Sequence, residues 1–115
     1  MAIVDVEIVG TAEPGIAHRL ADAAARVFEA PPATVWVRLR CLDPGCYAEN
    51  DATEPPRPVF VTVLKRAWSP ECAASEHLRL AQALALVLGK PVEHVHITYE
   101  LAAAGRQSFG GQLVT

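Results

Sequence analysis

Hydrophobic and polar positions alternate along Ala2 to Val9, with Val4, Val6 and Ile8 on one side of the chain and Ile3, Asp5, Glu7 and Val9 on the other. That period of two predicts a half-buried strand. From Thr11 or Glu13 the period lengthens: Ile16, Leu20, Ala23, Val27 and Phe28 fall on one helical face, and Pro14 suits a first turn, where its missing N–H has no partner. Pro31-Pro32 ends the helix, and Val35 to Arg40 alternates again, with Val35, Val37 and Leu39 opposed to Trp36, Arg38 and Arg40. The stretch from Asp43 to Arg57 is rich in Pro, Gly, Asp, Asn and Glu and predicts a loop.

The pattern then repeats. Ala2 corresponds to Pro58 and Pro14 to Pro70, an offset of 56 residues, which becomes 60 after the helix. Pro58 to Lys65 is the second opening strand. Ser69 predicts an N-cap before Pro70, Leu80, Leu84, Val87 and Leu88 form the apolar stripe, and Gly89-Lys90-Pro91 ends the helix. The last strand is expected over His94 to Glu100, with Val95, Ile97 and Tyr99 toward the helices and His94, His96, Thr98 and Glu100 away. A crossover helix between parallel strands makes a βαβ unit. Two such repeats, 1–50 and 58–115 around a linker at 51–57, predict one α/β domain over 1–115. It has a four-stranded mixed sheet with two helices on one face. Periodicity leaves open a ferredoxin-like βαββαβ arrangement, with the same element order and different strand pairing.

The uncovered face of that sheet is expected to carry Asp5, Glu7, Trp36, Arg38, Arg40 and His96 together with Val59, Val61 and Val63. Such a mixture is poorly placed in solvent and predicts oligomerisation. Arg38 and Arg40 suit an anionic carboxylate, because a guanidinium matches it bidentately. They also suit Asp5 and Glu7 of the neighbouring strand.

Composition narrows the function classes. In 115 residues, 51% hydrophobic, there is material for one core. A net charge of −3, without runs of Lys or Arg, gives no field for a phosphate backbone, so no nucleic acid is expected. No run of apolar residues reaches the length of a membrane span, and no basic-then-apolar leader is recognisable, so the expectation is a cytoplasmic protein with no membrane partner. The three cysteines, Cys41, Cys46 and Cys72, fit a reducing compartment better than a disulfide framework. Together with His94 and His96 they match no zinc spacing.

The run Pro91-Val92-Glu93-His94-Val95-His96-Ile97-Thr98-Tyr99-Glu100, followed by Gly105-Arg106-Gln107-Ser108-Phe109-Gly110-Gly111-Gln112-Leu113, resembles the second strand and C-terminal hairpin of the 4-oxalocrotonate tautomerase family. Pro31 to Leu39 resembles the same strand in the first repeat, and Met1 to Glu7 the family's opening strand. The doubled length resembles the longer members, such as macrophage migration inhibitory factor and 5-carboxymethyl-2-hydroxymuconate isomerase, which are homotrimers. The resemblance implies a tautomerase-like fold, self-association as a homotrimer, a small carboxylate ligand, and no cofactor or metal.

In that superfamily an N-terminal proline nitrogen, freed by removal of Met, moves a proton between carbon and oxygen of an enol and a ketone. Here the position is Ala2. Removal of Met1 would leave a primary amine there, whose ordinary pKa of about 7.7–8.0 allows it to act as a base near neutrality. The lysine before the proline pair in the inhibitory-factor branch falls on Ala30, with Lys90 in the pseudo-equivalent place. The carboxylate-binding arginine of the short members falls on Trp36 and His96. Pro58 matches the proline in the second copy but lies within the chain.

The implied site is therefore Ala2 as proton carrier, with His96 of a neighbouring subunit polarising the enol oxygen. Arg38 or Arg40 would hold the carboxylate, Trp36 and Phe109 would form an apolar wall, and Asn50 is a loop candidate beside Tyr47 and Glu49. Each has a plainer reading: a charge pair for the arginines, an interface for Trp36 and His96, a solvated turn for Asn50. The function implied is keto–enol isomerisation of a small 2-oxo or 2-hydroxy-dienoic acid. The alternative is a catalytically silent trimer that binds a small acid or a protein.

Overall fold

A computed structural model describes all of residues 1–115. The chain forms β1 (Ala2–Val9), α1 (Ile16–Phe28), β2 (Val35–Leu42), β3 (Val59–Lys65), α2 (Pro70–Leu88) and β4 (Val95–Tyr99). A small hairpin follows, β5 (Ser108–Phe109) with β6 (Gln112–Leu113). The sheet order is β2-β1-β3-β4. Each half pairs its strands in parallel, Val4 opposite Val37 and Val61 opposite Ile97, as a βαβ crossover requires. The halves join through an antiparallel β1–β3 ladder that sets Val6 opposite Val61 and Ala2 opposite Lys65. Retention of the parallel pairs rules out the ferredoxin-like alternative.

Both helices cover one face. Val4, Val6, Val59 and Val63 are fully enclosed between the sheet and Leu20, Leu80 and Leu84. β-Branched residues dominate the two central strands, where their stiff side chains fit a packed pleat. This register corrects one expectation: Val59, Val61 and Val63 belong to the core, and the uncovered face of β3 carries Phe60, Thr62 and Leu64. With side chains alternating by two, the pairing of Glu7 with Phe60 and Asp5 with Thr62 fixes which set points outward.

Local chemistry moves two boundaries. Helix α1 starts at Ile16, later than expected, because Gly15 takes a left-handed φ of 84° and Pro14 lies in the turn before it. β4 starts at Val95, since Val92–His94 forms a 3-10 turn. In α2 the hydroxyl of Ser69 accepts from the Cys72 N–H at 3.1 Å, with Pro70 in the first turn. The three cysteines are exposed and unpaired. No helix is long and apolar enough to cross a membrane.

Candidate functional site

The start of β1 is where several elements converge. Ala2 is 5% exposed, its methyl among the helix-facing residues of the strand. Its N–H donates to the Thr34 carbonyl at 2.9 Å. That carbonyl is presented by the turn leaving α1: Pro31-Pro32 cannot continue a helix, Ala33 adopts a φ of 64°, and the Thr34 hydroxyl donates to Pro31 O at 2.7 Å. A cavity of about 200 Å³ opens here, lined by Met1, Ala2, Phe28, Thr34 and Lys65 among others. With Met1 attached, the Ala2 nitrogen is an amide, a donor without basicity.

Lys65 is the cation of this cavity, and sequence reasoning missed it. As the last residue of β3 it continues the inward series Val59, Val61, Val63. Its Nζ lies 2.9 Å from Glu76 Oε2 and 4.6 Å from the centre of the Phe28 ring. Glu76, at 5% exposure, is the one charged residue in the core, and its Oε1 accepts from the Tyr99 hydroxyl at 2.8 Å. Burial, then the bond to Glu76, pushes the Tyr99 hydroxyl well above the usual phenol range. The available signal was periodicity: Glu76 precedes Leu80 and Leu84 by one and two helical turns on the same stripe.

The other expected site residues lie elsewhere. Arg38 and Arg40 project from the uncovered face, opposite to the Ala2 methyl. Arg38 is engaged by Asp5 through two hydrogen bonds, Nη2 to Oδ2 at 2.8 Å being one of them. This bidentate bond, reinforced by the charges of Arg38 and Arg40, holds the Asp5 carboxyl below the ordinary carboxylate range. Arg40 leans on the same carboxylate at 3.7 Å, and Glu7, its register partner, makes no ion pair.

Trp36 and Phe109 do meet, edge to face at 5.4 Å between ring centres, so the hairpin returns across the uncovered face to the edge strand β2. His96 is exposed on the opposite edge, 5.7 Å from Phe60, which in turn lies 6.2 Å from Tyr47. Within one chain neither His96 nor Asn50, exposed in the 43–57 loop, lines the Ala2 cavity. Tyr47 donates to Glu49 at 2.6 Å, and that bond raises its hydroxyl pKa.

No family profile and no curated protein matches the sequence. Solved structures do. A fused 4-OT, Q0, whose wild type is a symmetric trimer, superposes with a TM-score of 0.78 at 20% identity, covering 97% of this chain and 94% of that one. Pt0534 inactivated by 2-oxo-3-pentynoate gives 0.79 at 17% identity, covering 97% and 94%. MIF2 of Leishmania major gives 0.75 at 15% identity, covering 98% and 97%. Over nearly its whole length, the chain therefore has the fold shared by fused 4-OT and MIF structures.

Proposed function

We propose that this chain is a tautomerase-superfamily protein that assembles as a homotrimer and isomerises a small 2-oxo or 2-hydroxy-dienoic acid between keto and enol forms. The observation that supports the reading is the cavity at Ala2, with Lys65 beside it in a fold otherwise known from fused 4-OT and MIF structures.

Once Met1 is removed, the Ala2 amine takes the proton from the enol oxygen of the dienol and the resulting ammonium delivers a proton to carbon, giving the ketone; the reverse reaction takes it from the carbon of the ketone. Lys65, already oriented by Glu76, holds the substrate carboxylate. Arg38, Arg40, Trp36, Phe109, Asn50 and His96 reach the substrate only as groups that a neighbouring subunit brings to the Ala2 cavity.

The second reading, a silent trimer that binds a small acid or a protein, is favoured by the Ala2 N–H already bonded to Thr34 O. A ketonisation assay with 2-hydroxymuconate and phenylenolpyruvate separates the two, using protein whose Met1 removal is verified by mass. Activity in the parent, lost in Lys65→Met, is the expected result. An inert parent with an active Ala2→Pro variant favours the silent binder. If both are inert, the cavity is not a tautomerase site. In the active protein, 2-oxo-3-pentynoate is expected to add to the peptide bearing Ala2.

A further inference from the structure

At the opposite end of the β1–β3 ladder lies a second, larger cavity of about 430 Å³, between the first turn of α1 and the last turn of α2. Its apolar floor includes Ile8, Val9 and Ile16, all nearly buried. Three cations line it, Arg19, Arg57 and Lys90, against one acid, Glu13. In a chain of net charge −3 that is a local reversal of sign.

None of the three cations is neutralised. The four ion pairs of the chain involve His18 with Asp22, Arg38 and Arg40 with Asp5, and Lys65 with Glu76. Lys90 has only a carbonyl, donating to Arg57 O at 3.3 Å. This ties two of the cationic segments together without cancelling charge. The guanidinium of Arg57 occupies space that a side chain at residue 10 would contest, lying 3.1 Å from where a Cβ on Gly10 would stand. Gly10 has a φ of 106° and immediately follows β1, so the turn there leaves room for Arg57 at the cavity. Arg19 and Arg57 are exposed and Lys90 is half-buried, so water screens their mutual repulsion, and an anion seated among them meets three cations of one sign.

We infer that this cavity is a binding site for a small organic dianion, a short dicarboxylate whose ends meet the arginines and Lys90 while its carbon skeleton lies on the Ile8, Val9 and Ile16 floor. Two guanidiniums and an ammonium give donors for two carboxylates, and guanidiniums accept them bidentately. The apolar floor distinguishes such a ligand from inorganic phosphate, which would gain the charge and leave the floor uncovered. The site is independent of Ala2 and of any reaction there. By the 56-residue offset Arg57 stands where Met1 stands in the first cavity, and Val9 where Lys65 does. The two cavities thus draw their cations from different elements.

Titration calorimetry with glutarate and with inorganic phosphate tests this on the whole protein. Glutarate is expected to bind more tightly than phosphate, to weaken as salt is raised, and to lose about tenfold or more in affinity in an Arg57→Ala/Lys90→Ala double variant. Absence of glutarate binding, unchanged affinity in the double variant, or phosphate binding as well as glutarate would overturn the proposal. If the double variant does not fold, methyl NMR on the parent decides. Glutarate-induced shifts at Ile8, Val9 and Ile16 support the site, whereas shifts confined to Ala2 and its neighbours place the ligand in the other cavity.

Discussion

Glu76 shows most directly how one residue couples stability to a candidate site. Its carboxylate is buried and satisfied on both oxygens, by Lys65 and by Tyr99. Removing either member of the ion pair leaves the other charge uncompensated in a poorly hydrated setting. Lys65→Met and Glu76→Leu are each expected to cost about 3 kcal/mol, and the double substitution to cost less than their sum. Thermal or denaturant melts of the three variants check this. Asp5 behaves differently because Arg38 is largely exposed, so solvent screens the pair and it contributes far less than the buried one. The folded pKa of Asp5 is depressed, so its contribution is present above the unfolded carboxylate pKa and is lost as pH falls through the folded one. Asp5→Asn is expected to flatten the fall in melting temperature on acidification below about pH 4.

At the scale of elements, the helix ends carry the clearest consequences. α1 closes on Glu29, held at φ 53° with its N–H bonded to Arg26 O at 3.3 Å, while Ala30 N reaches Ala25 O at 3.0 Å. A residue with a Cβ is costly in that left-handed position, so Glu29→Gly is expected to raise stability by about 0.5–1 kcal/mol. In α2 the same role falls to Gly89, already without a Cβ. Ser69→Ala removes the acceptor of the Cys72 N–H and is expected to cost about 1 kcal/mol. Paired chemical-denaturation curves read both. The later start of α1 belongs to this scale as well: Pro14 fits a first turn equally well as the turn before it, and Gly15 decides between them by its positive φ.

Across the whole molecule, the sheet has one face packed against two helices and one face without a covering layer. Trp36 and Phe60 remain 45% and 41% exposed on that second face, beside the Asp5–Arg38 pair. Apolar surface of this kind favours burial against further copies. If the chain assembles as the proposed trimer, Phe60→Glu is expected to shift the mass toward that of the monomer in light scattering after size exclusion. In the same experiment Leu86→Glu, at an exposed position on α2, should leave the mass unchanged.

Periodicity in the sequence determined the order of strands and helices, because a strand buried on one side repeats every two residues and a helix every 3.6, whatever lies far away. The repeat of that pattern, the Ser69 cap and the helix-facing identity of Val4, Val6, Leu80 and Leu84 were legible for the same reason. Only the tertiary structure decided the face of β3, since a run of Val, Phe, Val, Thr, Val and Leu is apolar on both sides and the antiparallel register with β1 selects Val59, Val61 and Val63 for the core. It also decided the charged groups. Lys65 and Glu76 are 11 residues apart and meet only when β3 and α2 pack, as do Arg19, Arg57 and Lys90 from three separate segments. Charge partners are set by distances through space, and local sequence carries no record of them.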